Sequence, residues 1–470
     1  MSAARRASNG ADESGRARGS GGAGEGHAAR GTSGTRASTV AEVRLWGRRI
    51  AAVSVNGPGQ PAAFEYDAAF RKSGIQIAPL MMPLSDKVYR FPDLNTRSFH
   101  GLPGLLADAL PDAFGNAVID TWLATQGRLP DEIDAVERLC YTGARGMGAL
   151  EFRPARGPHA ERSTPVQVDA LVALASEVLR TREGLQASFE DSEKEHALRE
   201  ILRVGASAGG ARAKAVIAWN PQSNEVRSGQ VKAPEGFEPW LLKFDGVANN
   251  RDKELNDPRG YGQIEFAYAL MAGAAEIRMQ PCRLFEEHGR RHFMTRRFDR
   301  LDNGEKLHLQ SLGALAHFDF NNSGAYSYEQ ALLVIRRLEL SMDDIEEQFR
   351  RMVFNVLARN QDDHVKNIAF LMDKRGRWSL SPAYDVTYSY NPRGKWTAQH
   401  QMSLNGKRDH FTLDDLRAVA STASMKRGRA EAIYEQVRDV VARWPDFAEQ
   451  AGVLDDHTRQ VAAALRLELA

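Results

Sequence analysis

The 470-residue chain has only two cysteines, almost no net charge and no long apolar run, and each of these features argues against a class of protein. Cys140 and Cys282 lie far apart with no CxxC spacing, which excludes a disulfide framework and a cysteine-rich zinc site. The 62 basic and 61 acidic residues nearly cancel, so no overall field favours nucleic acid or an anionic membrane. No apolar run approaches the roughly 20 residues that span a bilayer. A cytoplasmic protein with no membrane partner is therefore expected.

Bulky apolar side chains are nearly absent from residues 1–40, which are rich in Gly, Ala, Ser and Arg. Such a segment cannot bury enough surface to offset its ordering entropy, so we expect a disordered tail. Its arginines also suit an organelle transit peptide or a nucleic-acid-binding arm, although Asp12, Glu13 and Glu25 argue against the transit peptide. A solvated tail is the simpler interpretation.

Beyond the tail, the hydrophobic pattern predicts a mixed chain. Strands are predicted within 43–55 and at 63–66, and the helical spacing of 99–127 is interrupted by Pro111. Short strands, a glycine-rich loop and a helix over 264–277 follow, and the pattern after about residue 310 is mostly helical. We therefore predict an α+β fold with a mixed, β-rich N-terminal lobe and a mostly helical C-terminal lobe.

The strongest chemical signal lies in residues 360–390, where polar residues follow an amphipathic helix and flank a predicted hairpin. Asp362, Asn367 and Asp385 can converge there, and carboxylate and amide oxygens are hard ligands suited to Mg²⁺. A base aspartate, a metal asparagine, a hairpin and a metal aspartate, in that order, build the phosphoryl-transfer site of protein kinases. The stretch therefore predicts a kinase. The alternative is a charged surface turn beside an unrelated aspartate.

Each polar residue of this stretch has an expected role. Asp362 would orient the incoming hydroxyl and accept its proton, and Lys366 would neutralise the transferring phosphoryl group. Asn367 and Asp385 would hold the metal. His364 is a candidate in the cofactor site. It can join a transition-metal site with the carboxylates, or it can tie the loop backbone through a ring hydrogen bond. We favour the ring hydrogen bond because no second histidine lies nearby.

Two further segments carry residues suited to the phosphates of a nucleotide. In the glycine-rich loop, Gly209 and Gly210 allow backbone amides to approach phosphate oxygens, and Lys214 adds positive charge. Lys243 ends an apolar strand and Glu265 opens the next helix, a lysine–glutamate pairing that fixes the phosphates of ATP in kinases. A flexible loop and an ordinary edge charge are the alternatives.

These motifs, in this order, resemble the HipA family of serine/threonine kinases, the toxins of bacterial toxin–antitoxin pairs. The matching strings are GASAGGARAKA, WLLKFDG, IEFAYALMAGAAEI, RRFDR, QDDHVKNIAFLMD and LSPAYDVTYSY, with GLPGLLADALPD nearer the N-terminus. The resemblance covers roughly residues 41–460 and implies a HipA-like, kinase-like two-lobed fold. The implied domains are a HipA-like N-terminal subdomain (41–155), a nucleotide-binding lobe with the glycine-rich loop (156–300) and a helical catalytic lobe (301–470).

The resemblance implies that Asp362 is the catalytic base and that Asn367 and Asp385 are the Mg²⁺ ligands. It also implies that Lys243 binds the phosphates of ATP, so that ATP and Mg²⁺ are the cofactors. It places Arg297 and Phe298 in the linker that contacts adenine, through backbone groups. Ser207 matches the serine that family members autophosphorylate, a modification that ejects the loop and silences the enzyme. The implied partners are a HipB-like helix-turn-helix antitoxin, which would make the DNA contacts, and a translation protein such as an aminoacyl-tRNA synthetase as acceptor.

Three features depart from the family pattern: Ala213 stands where a proline is common, residues 246–262 lengthen a connection, and the tail is extra. None removes a catalytic group. Two other functions remain open on the sequence, a catalytically silent regulator of a helix-turn-helix partner and a kinase of a small molecule or lipid head group.

Overall fold

The computed structural model describes most of the chain beyond the predicted tail. It covers residues 38–470 apart from 58, 157–164, 182–198, 200, 203–211, 230–233, 248–250, 253–254 and 257–259. Ser207, Gly209 and Gly210 of the glycine-rich loop lie outside the described residues, as do the predicted tail up to residue 37 and parts of the insert 246–262. The described residues belong to one compact unit.

The strands of the described residues form three sheets and a short ribbon. They are β1 Thr39–Leu45, β2 Arg48–Val55, β3 Ala63–Tyr66, β4 Leu150–Arg153, β5 Lys214–Trp219, β6 Val226–Ser228, β7 Glu238–Lys243, β8 Arg251–Asp252, β9 Leu255–Asn256, β10 Cys282–Glu287, β11 Arg290–Arg296, β12 His308–Ser311, β13 Ala369–Met372 and β14 Trp378–Leu380.

Seven of the described α-helices lie before residue 310 and seven after it, where they occupy a larger share of the chain. They are α1 Ala68–Arg71, α2 Thr96–Phe99, α3 Gly104–Ala107, α4 Ala113–Thr125, α5 Ala135–Thr142, α6 Val168–Thr181, α7 Tyr261–Ala274, α8 Leu312–Ala316, α9 Tyr328–Arg337, α10 Met342–Leu357, α11 Leu413–Thr422, α12 Arg429–Val441, α13 Trp444–Ala451 and α14 Asp455–Ala464, with a 3₁₀ turn at Pro130–Glu132.

The first sheet has the order β3-β2-β1-β4 and is antiparallel throughout. Val43 and Leu45 of β1 are fully buried, and the residues between them face outward, as the alternating pattern predicts. Gly47 turns the chain from β1 into β2 with a φ of 77°, a conformation that glycine adopts without strain. Pro111 separates α3 from α4, as expected, because proline lacks the amide that a continuous helix needs.

The second sheet, β10-β11-β7-β5-β6, is also antiparallel and forms the β-rich part of the N-terminal lobe. Helix α7 contacts β10 and β11 along this sheet. It begins at Tyr261 and ends at Ala274, three residues earlier at each end than the predicted 264–277. The shift arises at Gly260, whose φ of 94° lets the chain turn into the helix before the apolar run begins.

The C-terminal lobe packs its helices around the small sheet β12-β13-β14. Helix α10 buries Phe349, Met352 and Val353 in the largest apolar core, and its N-terminus is closed by a capping box of Ser341 and Asp344, as the spacing of these two residues predicts. The α+β class and the division into a mixed lobe and a helical lobe are therefore confirmed.

Candidate active site

The loop between α10 and β13 is closed by hydrogen bonds between its own groups. The side-chain amide of Asn367 donates to the carbonyl oxygen of Asp362 at 2.8 Å, and the Asn367 backbone N–H donates to the carbonyl oxygen of His364 at 2.8 Å. The Asp362 N–H donates to the hydroxyl of Ser389 at 3.1 Å. Because both ends of the loop are fixed in this way, the predicted base and the predicted metal ligand are held beside one another.

The carboxylate of Asp362 is partly exposed and has a specific neighbour. The indole N–H of Trp396 donates to Asp362 Oδ1 at 2.7 Å, and His364 Nε2 lies 4.0 Å from Oδ2. The side chain of Asp362 is 20% exposed, so solvent or an acceptor group can reach this part of the loop. Trp396 was not among the predicted residues, because 34 residues separate it from Asp362 and no motif joins them.

The neighbouring Asp363 has the opposite environment and anchors the loop in the core. Its Oδ2 accepts the Tyr328 hydroxyl at 2.6 Å and lies 2.8 Å from His400 Nδ1, and its Oδ1 accepts the backbone N–H of Gln401 at 2.7 Å. Burial alone would raise the pKa of Asp363, but the contacts with His400, Tyr328 and the Gln401 N–H together outweigh burial and the pKa is lowered. The adjacent acids therefore differ in environment: Asp363 is buried in the core, whereas Asp362 is partly exposed.

Lys243 joins the two lobes through a pair of carboxylates. Its Nζ lies 2.5 Å from Glu265 Oε1 of α7 and also contacts Asp385 Oδ1. Burial would lower the pKa of Lys243, but the carboxylates of Asp385 and Glu265 outweigh it and raise the pKa above its ordinary value. Burial would likewise raise the pKa of Asp385, yet chiefly Lys243 lowers it to about 2. Lys243 and Asp385 are therefore both charged at neutral pH.

The backbone at Asp385 is strained. Its φ of 52° lies in the left-handed region, which non-glycine residues seldom adopt. Such conformations persist where the surrounding structure fixes them, and they cluster at functional sites. Here the ion pair to Lys243 fixes the side chain.

The C-terminal end of the glycine-rich segment brings two more charges to the site. Lys214 is paired directly across from Lys243 in the β5–β7 register, and its Nζ lies 3.4 Å from Asp112 Oδ2. Arg212 Nη1 lies 3.9 Å from Glu265 Oε2 and its guanidinium stacks over Tyr261 at 4.0 Å. The structure thus places Lys214 against a carboxylate from the N-terminal part of the chain, which sequence reasoning missed because no motif links the two segments.

Asp112 provides a test of this packing through pH. Its side chain is 4% exposed, and burial raises its pKa to about 6 although Lys214 and the Gly115 amide oppose the rise. Because the folded pKa exceeds the unfolded value, Asp112 favours folding most below pH 4, and this contribution is lost as pH rises to 6.

We therefore expect Asp112→Asn to gain about 2–3 kcal/mol of unfolding free energy relative to wild type between pH 4 and pH 7. Asparagine preserves the hydrogen bond from Gly115, since it caps helices as well as aspartate does. Urea unfolding of both proteins at each pH measures the difference. A difference that stays constant across this range would contradict the assigned environment of Asp112.

Lys366 and His364 lie in the same loop between α10 and β13. The Lys366 ammonium lies 4.6 Å from the centre of the Phe320 ring and 3.9 Å from Asp108 Oδ1. His364 Nδ1 accepts the Lys366 backbone N–H at 3.3 Å, so the ring bonds the loop backbone, the role favoured from the sequence. The role of Lys366 in neutralising a phosphoryl group stays a prediction.

Arg297 and Phe298 lie in the connection that follows β11. The Arg297 guanidinium is buried and forms two hydrogen bonds to Asp299, at 2.9 Å and 2.7 Å. Arg297 N–H donates to the Pro239 carbonyl oxygen at 3.0 Å, and the Phe298 ring lies 5.6 Å from the Tyr384 ring. The Arg297 side chain is thus committed to the fold. The adenine-contacting role stays a prediction.

The structure brings the predicted residues into two contacting groups. These are Lys243 with Glu265 and Asp385, and Asp362 with His364 and Asn367. The Tyr384 hydroxyl, next to Asp385, donates to the Lys366 carbonyl oxygen, and His364 contributes to the lowered pKa of Asp385. His364, Asn367 and Tyr384 line one small cavity. The two groups therefore adjoin one another between the lobes.

The donor atoms suit a hard divalent cation. Asp385 is ionised, and the Asn367 amide nitrogen is already used by Asp362, which leaves the amide oxygen as the atom that Asn367 can offer. An anionic carboxylate and a neutral amide oxygen are typical ligands of Mg²⁺ beside phosphates.

Within the described residues, no helix has the length and apolar content needed to cross a bilayer.

Two family models match the chain: the HipA N-terminal domain over residues 41–153 and the HipA-like C-terminal domain over residues 206–444. Two curated proteins that carry the name "Putative kinase" are similar to it. Y4dM of Sinorhizobium fredii is 28% identical over 47% of this chain and 57% of the relative, and a Haemophilus influenzae protein is 31% identical over 35% and 45%. The chain thus spans about half the length of these relatives.

A solved structure extends the similarity to the whole fold. A chain from the Shewanella oneidensis toxin–antitoxin complex of HipA, HipB and operator DNA matches with a TM-score of 0.62 at 16% identity. The match covers 90% of this chain and 94% of the other. The expected kinase-like, two-lobed, HipA-like fold is confirmed, whereas the predicted domain boundaries stay predictions. Because the C-terminal family model alone spans just over half of the sequence, the chain belongs to the HipA family.

Proposed function

We propose that the chain is an ATP- and Mg²⁺-dependent kinase that phosphorylates serine or threonine hydroxyls of a protein. The observation that carries this proposal is the position of Lys243, whose ammonium contacts Glu265 and Asp385 at once. A lysine held between a helix glutamate and a metal-binding aspartate is the arrangement that positions ATP phosphates in kinases.

Each residue of the candidate site has a chemical role in this proposal. Bound Mg·ATP would supply the phosphoryl group and the counter-charge for its transfer. Asp362 would align the acceptor hydroxyl and take its proton as the hydroxyl oxygen bonds to the γ-phosphorus and the bond to the ADP oxygen breaks. Asn367 and Asp385 would hold the metal, and Lys243 would orient the phosphates.

Membership of the HipA family supports a toxin role with a helix-turn-helix antitoxin as partner. The similar Shewanella protein was solved together with HipB and operator DNA, and its fold extends over nearly all of this chain. We propose a HipB-like partner that makes the main DNA contacts, and an acceptor of the aminoacyl-tRNA synthetase class. Autophosphorylation of Ser207 is part of the same proposal.

The proposal is tested by incubating the purified protein with γ-labelled ATP and a cell lysate, with and without excess EDTA. We expect label in protein bands, phosphoserine or phosphothreonine on hydrolysis, and loss of labelling when EDTA removes the metal. Label that appears only in small molecules would point to a metabolite or lipid kinase. ATP binding without any label transfer would point to a silent regulator, and both results would contradict the proposal.

A further inference from the structure

We propose that Trp396 is a positioning residue that sets the orientation of the Asp362 carboxylate, an inference that rests on the proposed kinase function. The indole N–H of Trp396 donates to Asp362 Oδ1 at 2.7 Å. An indole nitrogen only donates hydrogen bonds, so Trp396 cannot itself take the proton of an acceptor hydroxyl. Its action is on the geometry of the group that does.

The segment that carries Trp396 is fastened to the catalytic loop at a second place. His400 Nδ1 and the Gln401 backbone N–H both contact the carboxylate of Asp363, at 2.8 Å and 2.7 Å. The Gln401 side-chain amide donates back to the Trp396 carbonyl oxygen. His400, Gln401 and Asp363 are buried, so the core of the protein determines where the indole lies. One segment therefore anchors the buried aspartate and orients the exposed one.

The backbone contacts of Asp362 leave its side chain to be oriented separately. Its N–H is bound by Ser389 and its carbonyl oxygen by Asn367, but neither contact restrains rotation of the carboxylate. A hydrogen bond to an ionised acceptor is about twice as strong as one between neutral groups. A base must lie within about 3 Å of the hydroxyl that it serves, and a displacement of about 1 Å can cost on the order of 100-fold in rate. The Trp396 N–H therefore adds a directional restraint on the carboxylate.

The environment of Trp396 differs from that of a tryptophan that only fills space. Trp46 and Trp444 donate their indole N–H groups to backbone carbonyl oxygens, of Lys306 at 2.7 Å and of Thr458 at 3.0 Å. Trp240 donates to a carboxylate too, that of Glu238 two positions away at 3.1 Å, whereas the carboxylate that Trp396 binds lies 34 positions away and belongs to the proposed base. Trp46 offers a control, since its hydrogen bond has the same length and lies in another part of the fold.

The test removes the N–H while keeping the ring. Trp396 is replaced by phenylalanine and, by incorporation of a non-natural amino acid, by β-(3-benzothienyl)alanine, in which sulfur replaces the N–H of the same two-ring system. We expect kcat of label transfer to fall about 10- to 100-fold in both variants, while the Kd for Mg·ATP and the melting temperature stay near wild type. Trp46→Phe should retain the wild-type kcat.

Two results would overturn the positioning role. One is a wild-type kcat in the benzothienyl variant. The other is a parallel loss of kcat, ATP affinity and melting temperature, which would indicate a structural role only. A wild-type protein that transfers no label at all would instead contradict the proposed kinase function.

A readout independent of activity uses the indole ¹⁵N–¹H resonances of the seven tryptophans. The Trp396 resonance is assigned by its absence from Trp396→Phe. We expect Asp362→Ala to shift it upfield and to leave the Trp46 resonance unchanged. A Trp396 resonance that does not respond to Asp362→Ala would overturn the inference even if the protein proved to be an active kinase.

Discussion

Replacing Asp362 with asparagine should lower the rate of phosphoryl transfer roughly 10²- to 10⁴-fold while leaving Mg·ATP binding intact. Asparagine has the shape of aspartate and can still accept the Trp396 hydrogen bond, but it cannot take the proton of an acceptor hydroxyl. The proposed nucleotide-binding residues Lys243, Glu265 and Asp385 are untouched by the change. Label transfer and calorimetric titration with Mg·ATP measure the two effects separately.

The matched control for this variant is Asp302→Asn, because the Asp302 side chain is 86% exposed and lies outside the site. It should transfer label at the wild-type rate. If the protein is a toxin, Asp362→Asn should also relieve growth arrest on expression, and Asp302→Asn should not. Undiminished phosphoryl transfer by the Asp362→Asn protein would remove Asp362 from the role of base.

The second large effect is expected at Lys243, where Lys243→Met should abolish measurable transfer and also destabilise the fold. Glu265 is 3% exposed, and without the ammonium it is left beside the Asp385 carboxylate. Arg212, 3.9 Å from Glu265, and Lys214, which also lowers the pKa of Asp385, offset these charges only in part. Removing one partner of a buried ion pair costs about 3–5 kcal/mol. Asp385 is less buried than Glu265, so we expect about 2–4 kcal/mol in urea unfolding at pH 7.

A second substitution distinguishes the two effects of losing Lys243. Adding Asp385→Asn to Lys243→Met removes one of the stranded charges, so stability should partly recover while transfer stays absent. Acid should have a similar effect. The lowered pKa of Asp385 stabilises wild type above pH 4 and this contribution is lost as pH falls towards 2, so the stability gap between wild type and Lys243→Met should narrow there. If Lys243→Met alone keeps wild-type stability at pH 7, that result would contradict the ion-pair geometry.

The sequence was informative where function requires residues close together along the chain. Asp362, His364 and Asn367 lie within six residues of one another, so the loop that carries them could be recognised from spacing alone. The capping box at Ser341 and the apolar face of α10 made the helix that precedes this loop recognisable in the sequence. The pairing of Lys243 with Glu265 could be proposed because a strand followed by a helix is also a local pattern.

What the sequence did not reveal depends on contacts between distant segments. Asp112 meets Lys214, and Trp396 meets Asp362, only after the whole unit has folded. The difference between Asp362 and Asp363 has the same origin. Two adjacent acids look alike in a sequence, and only the buried Tyr328 and His400 make one of them an anchor. Strand β12 was missed because HLQS has no apolar alternation, and its pairing with β13 supplies the hydrogen bonds that stabilise it.

The central claim is that Lys243, Asp385, Asn367 and Asp362 form one phosphoryl-transfer site between the two lobes. The most direct measurement is a crystal structure of the protein with Mg²⁺ and a non-hydrolysable ATP analogue. We expect the metal bound by Asp385 and Asn367, the phosphates beside Lys243, and the γ-phosphorus facing Asp362. A nucleotide bound elsewhere, or one that leaves Asp385 and Asn367 without metal, would contradict the claim.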